Sequence, residues 1–137
     1  MPDSAADLLS AASRAREFAV APFSNFQVGA ALLTPDGQVI TGCNVENATY
    51  GLTVCAERVA LFKALSEGRR RFTHVAVVAD TQEPTPPCGA CPQLLWEFGG
   101  DLEVILGNLL HETGRFKLSE LFPRPFDMRF LTRPEDK

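Results

Sequence analysis

The sequence has no run of the roughly 18 consecutive apolar residues that a membrane-spanning helix requires. Its start, Met1-Pro2-Asp3-Ser4, lacks the cationic and apolar stretches of a signal peptide. A cytoplasmic protein without membrane attachment is therefore expected. Positive charge is also scarce: 13 Lys and Arg face 17 Asp and Glu, for a net charge of −4 and a pI near 5.1. No broad electrostatic attraction to nucleic acid follows from that balance. The one basic run, Arg69-Arg70-Arg71, reads as a solvated connection between two elements. Repeats, low-complexity tracts and long linkers are missing, so nothing divides the chain.

What remains suits one compact domain. The chain has 137 residues, 45% of them apolar and 22% charged, which is enough for a single core and argues against disorder. One domain over residues 1–137 is expected, with a core from about 4 to 126 and a tail at 127–137. Asp3 or Ser4 can cap a first helix, in which Leu8, Leu9, Ala12, Ala15, Phe18 and Ala19 recur at helical spacing. That helix should stop before Pro22. Gln27 to Thr34 and Gln38 to Val45 read as a β-hairpin around the turn residues Pro35-Asp36-Gly37. Thr53 is the expected N-cap of a second helix reaching about Ser66, with Gly68 as its stop. His74 to Ala79 and Leu102 to Leu106 look like buried strands, separated by a third helix ending near Gly99-Gly100. Leu118 to Leu121 reads as a helical turn. The order α-β-β-α-β-α-β predicts an α/β fold, a three-layer α/β/α sandwich around a mixed central sheet.

The four cysteines carry the chemistry. Where thiols stay reduced, a close pair points to metal or redox chemistry more than to a disulfide. Pro87-Cys88-Gly89-Ala90-Cys91 places a CxxC pair where a helix should begin, and Cys55 begins the second helix. Helix N-termini favour thiolates through unpaired amides and the positive dipole end. Three thiolates with an open fourth position describe a catalytic zinc site. A redox pair, or a closed structural zinc site completed by Cys43, fits the cysteines alone as well. Glu57 adds a carboxylate two residues beyond Cys55, placed to move protons beside a metal-bound water.

Cys55-Ala56-Glu57 followed by Pro87-Cys88-Gly89-Ala90-Cys91 resembles the zinc nucleoside and nucleobase deaminases. More sharply, the chain is similar to the small homotetrameric cytidine deaminases. The likeness lies in residues 21–32 (Ala21-Pro22-Phe23-Ser24-Asn25-Phe26 onward), residues 42–53 (Gly42-Cys43-Asn44-Val45-Glu46-Asn47 onward), Cys55-Ala56-Glu57-Arg58, the CxxC loop and Leu121-Phe122-Pro123-Arg124-Pro125-Phe126. The resemblance implies one Zn2+ per chain on Cys55, Cys88 and Cys91. It implies that hydroxide generated at zinc attacks C4 of cytidine or 2′-deoxycytidine while Glu57 protonates N3 and then the leaving amino group, as in pyrimidine salvage. It further implies that Arg58 hydrogen-bonds the sulfurs, Asn44 and Glu46 bind ribose hydroxyls, Phe26 packs on the pyrimidine and the Ala56 N–H binds its 2-oxo group. Tyr50 and Phe126 would reach a neighbouring subunit's site. Two residues depart from the pattern: Phe23 replaces a usual tyrosine, and Pro92 a common arginine. Proline is tolerated there if the third helix starts near Gly89 or Ala90. Cys43 is expected to be a buried thiol, Trp96 core, and His74 and His111 structural or exposed. Rival functions are deamination of another aminopyrimidine nucleoside (blasticidin S or an N4-substituted cytidine) and a non-catalytic structural zinc module.

Overall fold

The computed structural model describes residues 5–49, 52–80 and 90–123. Its elements are α1 (Ala5–Arg16), β1 (Val28–Leu33), β2 (Val39–Cys43), α2 (Ala56–Ser66), β3 (His74–Ala79), α3 (Ala90–Gly99), β4 (Glu103–Gly107), β5 (Glu112–Lys117) and α4 (Leu118–Leu121). The sheet runs β2-β1-β3-β4-β5. The β3–β4 pair is parallel and the other pairs are antiparallel. The mixed sheet expected from the sequence is present.

Side chains alternate across a strand, and that alternation builds the layers. Ala30 and Leu32 of β1, Val75 and Val77 of β3, and Val104 and Leu106 of β4 face one side, where they pack with Ala56, Ala60, Leu61 and Ala64 of α2 and Leu95 of α3. Ala31, Ala76, Val78 and Ile105 face the other, under Leu8, Ala11 and Ala12 of α1. Both faces of the central strands are covered, which is why they read as continuous apolar runs.

Two glycines set the spacing between layers. A Cβ on Gly29 would lie 1.9 Å from the carbonyl oxygen of Ala12 in α1. On Gly42 it would lie 2.5 Å from the amide nitrogen of Ala60 and 2.6 Å from the carbonyl oxygen of Ala56. The alanines at 56, 60 and 64 give α2 a small-residue face, and Gly42 lets β2 come up against it.

Four details differ from the sequence expectation. α1 ends at Arg16, and residues 17–19 continue as a tighter turn in which Glu17, Phe18 and Ala19 donate to Arg14, Ala15 and Arg16 at 3.1–3.2 Å. Phe18, expected on the buried helical stripe, is instead 77% exposed. Thr53 is not the N-cap of α2; Cys55 is, in extended geometry (φ −72°, ψ 156°) and without a side-chain cap bond. Thr53 Oγ1 accepts the N–H of Asn47 at 3.2 Å instead. The fifth strand was not expected, because Glu112-Thr113-Gly114-Arg115-Phe116-Lys117 has little apolar content and lies at a half-solvated edge. The turn before it does carry a signal: Asn108 Oδ1 accepts the N–H groups of Leu110 and His111 at 2.8 and 2.9 Å.

The stop of α2 follows expectation. Gly68 takes φ +87°, its N–H reaches Leu65 O, and Arg69 N reaches Ala64 O at 3.0 Å, the paired bonds of a Schellman motif.

Candidate active site

The C-terminal ends of β2 and β3 flank the start of β1, and the chain runs from them to the starts of α2 and α3, where the sulfurs meet. The Sγ atoms of Cys55 and Cys91 and a carboxylate oxygen of Glu57 all lie within 4.8 Å of one another. Cys55 holds the N-cap position, Glu57 the first turn of α2, and Cys91 the first turn of α3. Cys91 is fully buried and Glu57 is 4% exposed. Cysteine is a poor N-cap by propensity, and Cys55 makes no side-chain cap bond at the head of α2. Two thiols on helix N-termini form a donor set suited to zinc. Cys88, the third expected ligand, lies outside the described residues, as do Tyr50 and Phe126.

Burial pushes the Glu57 carboxyl up from 4.5 to about 7; a hydrogen bond with Cys91 opposes the rise and the charge of Cys55 adds to it. A dication among these sulfurs would also oppose the rise. Arg58 donates from Nη2 to the carbonyl oxygen of Thr53 at 2.8 Å, tying the guanidinium to the segment that leads into α2. Its buried Nε has no acceptor among the described residues, a donor that a thiolate at this site would satisfy. Ala56 is the first helical residue of α2, so its N–H lacks an intrahelical acceptor.

The three residues expected to touch nucleoside sit on two adjoining segments. Asn44 is buried and follows β2; Glu46 is half-buried; Phe26 is 41% exposed on the loop entering β1. Asn44 Nδ2 donates to Phe26 O at 2.8 Å and its Oδ1 accepts the Val28 N–H at 2.9 Å. Glu46 Oε1 accepts the N–H groups of Phe23 and Ser24 at 2.9 and 3.1 Å, and its Oε2 accepts the Ser24 hydroxyl. Those bonds, the Ser24 hydroxyl foremost, hold the Glu46 carboxyl below its ordinary range. Backbone bonds from Val20 N to Asn44 O and from Glu46 N to Val20 O complete the seam at 3.0 and 2.8 Å. A concave surface lined by Phe23, Ser24, Glu46 and Thr53 opens beside it. Ser24 is the residue that sequence reasoning passed over, although it lies within a quoted motif; only the fold shows it against Glu46.

Cys43 lies on β2 beside α1 and α2, outside the metal-capable group found among the described residues. It is partly exposed and not the buried thiol expected from the sequence, and desolvation raises its thiol pKa. Pro92 falls in the first turn of α3, where its missing N–H has no helical partner to lose. His74 is structural, its Nε2 2.9 Å from Glu103 and its Nδ1 2.8 Å from Thr73 Oγ1. His111 is exposed, and Trp96 packs partly buried against the main core. Among the described residues, no helix is long and apolar enough to cross a membrane.

Residues 2–107 match the family model described as the cytidine and deoxycytidylate deaminase zinc-binding region. The chain is 58% identical over 120 residues to the cytidine deaminase of Halalkalibacterium halodurans, covering 87% of this chain and 91% of that one. The crystal structure of cytidine deaminase from Burkholderia pseudomallei superposes with a TM-score of 0.86 at 51% identity, covering 90% of this chain and 99% of that one. The likeness to the blasticidin-S deaminase of Bacillus cereus is lower, 30% over 107 residues, covering 70% of this chain and 74% of that one.

Proposed function

The chain belongs to the zinc-binding cytidine and deoxycytidylate deaminases, and on that basis we propose that it hydrolyses cytidine to uridine and ammonia with Glu57 as the proton carrier. The observation that carries this reading is the cluster of Cys55, Cys91 and a nearly dry Glu57 at two helix starts. Cys55, Cys88 and Cys91 would hold the zinc. When bound, it lowers the pKa of water toward about 7 and so supplies hydroxide at neutral pH.

The rest is done by the chain. Phe26 stacks on the pyrimidine, and the Ala56 N–H receives the 2-oxo group, fixing C4 over the cluster. Glu57, within reach of the same space, takes the proton of the attacking water, places it on N3, and later delivers a proton to the amino nitrogen as ammonia leaves. A carboxyl kept from water exchanges that proton with substrate in preference to solvent. Arg58 donates to the sulfurs and withdraws some of their charge, a role supported by its buried, acceptor-less Nε. Asn44 and Glu46 bind the ribose hydroxyls, and 2′-deoxycytidine is accepted through the hydroxyl it retains.

The protein works in the cytoplasm, in pyrimidine salvage, as a homotetramer in which Tyr50 and Phe126 complete a neighbour's site. Self-association is supported by large apolar side chains left in water, Phe18 at 77% and Leu110 at 88% exposed. The decisive experiment is an ultraviolet assay of the zinc-analysed protein on cytidine, 2′-deoxycytidine, cytosine and blasticidin S. Expected are one zinc per chain, turnover of both nucleosides and one ammonia per product. Turnover confined to the antibiotic defeats the cytidine reading; zinc binding without turnover leaves the structural zinc module.

A further inference from the structure

Glu46 is expected to grip ribose, yet most of its capacity is already engaged. An ionised carboxylate offers about four acceptor positions. Oε1 takes two N–H groups, from Phe23 and Ser24, and Oε2 takes the Ser24 hydroxyl. About one position remains, on Oε2.

The geometry of these bonds assigns different tasks to them. Two N–H donors on Oε1 pin that oxygen but leave the carboxylate free to swing about it. The hydroxyl on Oε2 removes that freedom, because three donors on two oxygens fix the plane of the group. The hydroxyl is itself oriented. Ser24 Oγ accepts the Phe26 N–H at 3.0 Å, so its own proton is directed to Glu46. The chain from the Phe26 N–H through the Ser24 hydroxyl to the Glu46 carboxylate ends on a full charge, which strengthens each bond along it. Asn25, between the two, takes φ 57° to make the tight loop that brings Phe26 N back to Ser24 Oγ.

We propose that Ser24 is a positioning residue for substrate binding: its hydroxyl fixes the Glu46 carboxylate so that the remaining Oε2 acceptor position meets a sugar hydroxyl of the nucleoside. This rests on the reading of Glu46 as a ribose contact. Ser24 itself touches no reacting atom, so its loss acts on sugar recognition and leaves the chemical step alone.

The test uses zinc-loaded, full-length protein carrying Ser24→Ala, Ser24→Thr or Glu46→Gln, with kcat and KM measured for cytidine and for 2′,3′-dideoxycytidine, which lacks both hydroxyls. Ser24→Ala should raise KM for cytidine about tenfold, the scale of one charge-assisted hydrogen bond, with kcat within about twofold. On dideoxycytidine its KM should stay within about twofold of the unmodified protein, and Ser24→Thr, which keeps the hydroxyl, should restore most of the loss on cytidine. An equal rise on both substrates, or no rise on cytidine, overturns the proposal. Glu46→Gln separates the two levels. If it penalises cytidine selectively and Ser24→Ala does not, the assignment to Ser24 alone is wrong. If neither variant distinguishes the two substrates, Glu46 is not a sugar contact.

Discussion

Asn44 donates a hydrogen bond from Nδ2 to the carbonyl oxygen of Phe26 at 2.8 Å. Its Oδ1 accepts the Val28 N–H at 2.9 Å, and its own backbone N–H reaches Val28 O at 3.2 Å. One buried amide therefore spans the bend that delivers the chain into β1 and presents Phe26. An amide fits because this position needs a donor and an acceptor side by side. Asn44→Ala leaves two backbone groups without partners, at a cost of about 1–3 kcal/mol each when water cannot replace the bond. Asn44→Asp places a carboxylate oxygen against the Phe26 carbonyl and should be at least as damaging. Urea unfolding should show both losses, with KM for cytidine rising as Phe26 moves. Unchanged stability in both variants would mean that the amide does not hold this bend.

The role proposed for Glu57 is separable from that proposed for the sulfurs beside it. Glu57→Gln keeps shape and hydrogen-bonding capacity but cannot carry the proton, so zinc should stay at one per chain while deamination falls about 10²–10⁴-fold. Metal removal should act differently: a chelator abolishes turnover of the unmodified protein and added zinc restores it. Near-normal ammonia release by zinc-loaded Glu57→Gln defeats the proton-carrier role.

Gly42 sits under the helix that carries Cys55 and Glu57. An added Cβ meets backbone of Ala56 and Ala60 at 2.6 and 2.5 Å, atoms that cannot give way unless α2 moves. Gly42→Ala should cost about 1–3 kcal/mol, as overpacking does, and should weaken zinc retention because the moving end bears Cys55, a proposed ligand. Gly68→Ala is the matched control. Gly68 ends the same helix with φ +87° and open space around it, so alanine there suffers backbone strain of about 1 kcal/mol but no collision. Zinc titration should separate the two variants at comparable loss of stability. Equal zinc affinity in both would show that the spacing of α2 from β2 does not matter to the site.

What the sequence disclosed follows from how strongly each signal is tied to one cause. β3 and β4 are covered on both faces, so their apolar runs admitted no other reading. Gly68 ended α2 because its αL position favours glycine. β5 is an edge strand with one face in water, and its composition resembles a loop. The N-cap was misplaced at Thr53 because capping propensity favours threonine over cysteine, whereas Cys55 takes the cap position with no side-chain cap bond. The grouping of Cys55, Glu57 and Cys91 was legible because thiol and carboxylate chemistry restricts the residue types. Ser24 was not, since a serine in a loop is ordinary until a partner 22 positions away is brought to it.

That partnership also sets a pH dependence. The Glu46 carboxyl is held below its ordinary 4.5, with the Ser24 hydroxyl the largest cause and the Ser24 and Phe23 N–H groups contributing. The unfolded chain thus binds this proton more readily than the folded one, and the contribution to stability rises with pH across the window. It is fully present above about 4.5 and lost as pH falls through the lowered folded value. The loop from 20 to 27 should loosen first, because Phe23 and Ser24 have their amides on that carboxylate. Hydrogen exchange, corrected for intrinsic rates, should show those two amides losing protection below pH 4.5 while Val77 in the core of β3 keeps its own. In Glu46→Gln the neutral amide still accepts both N–H groups but does not titrate in this range, so their protection should no longer change across the window. Protection at Phe23 and Ser24 that is indifferent to pH in the unmodified protein would mean that the carboxylate is not what fastens the loop.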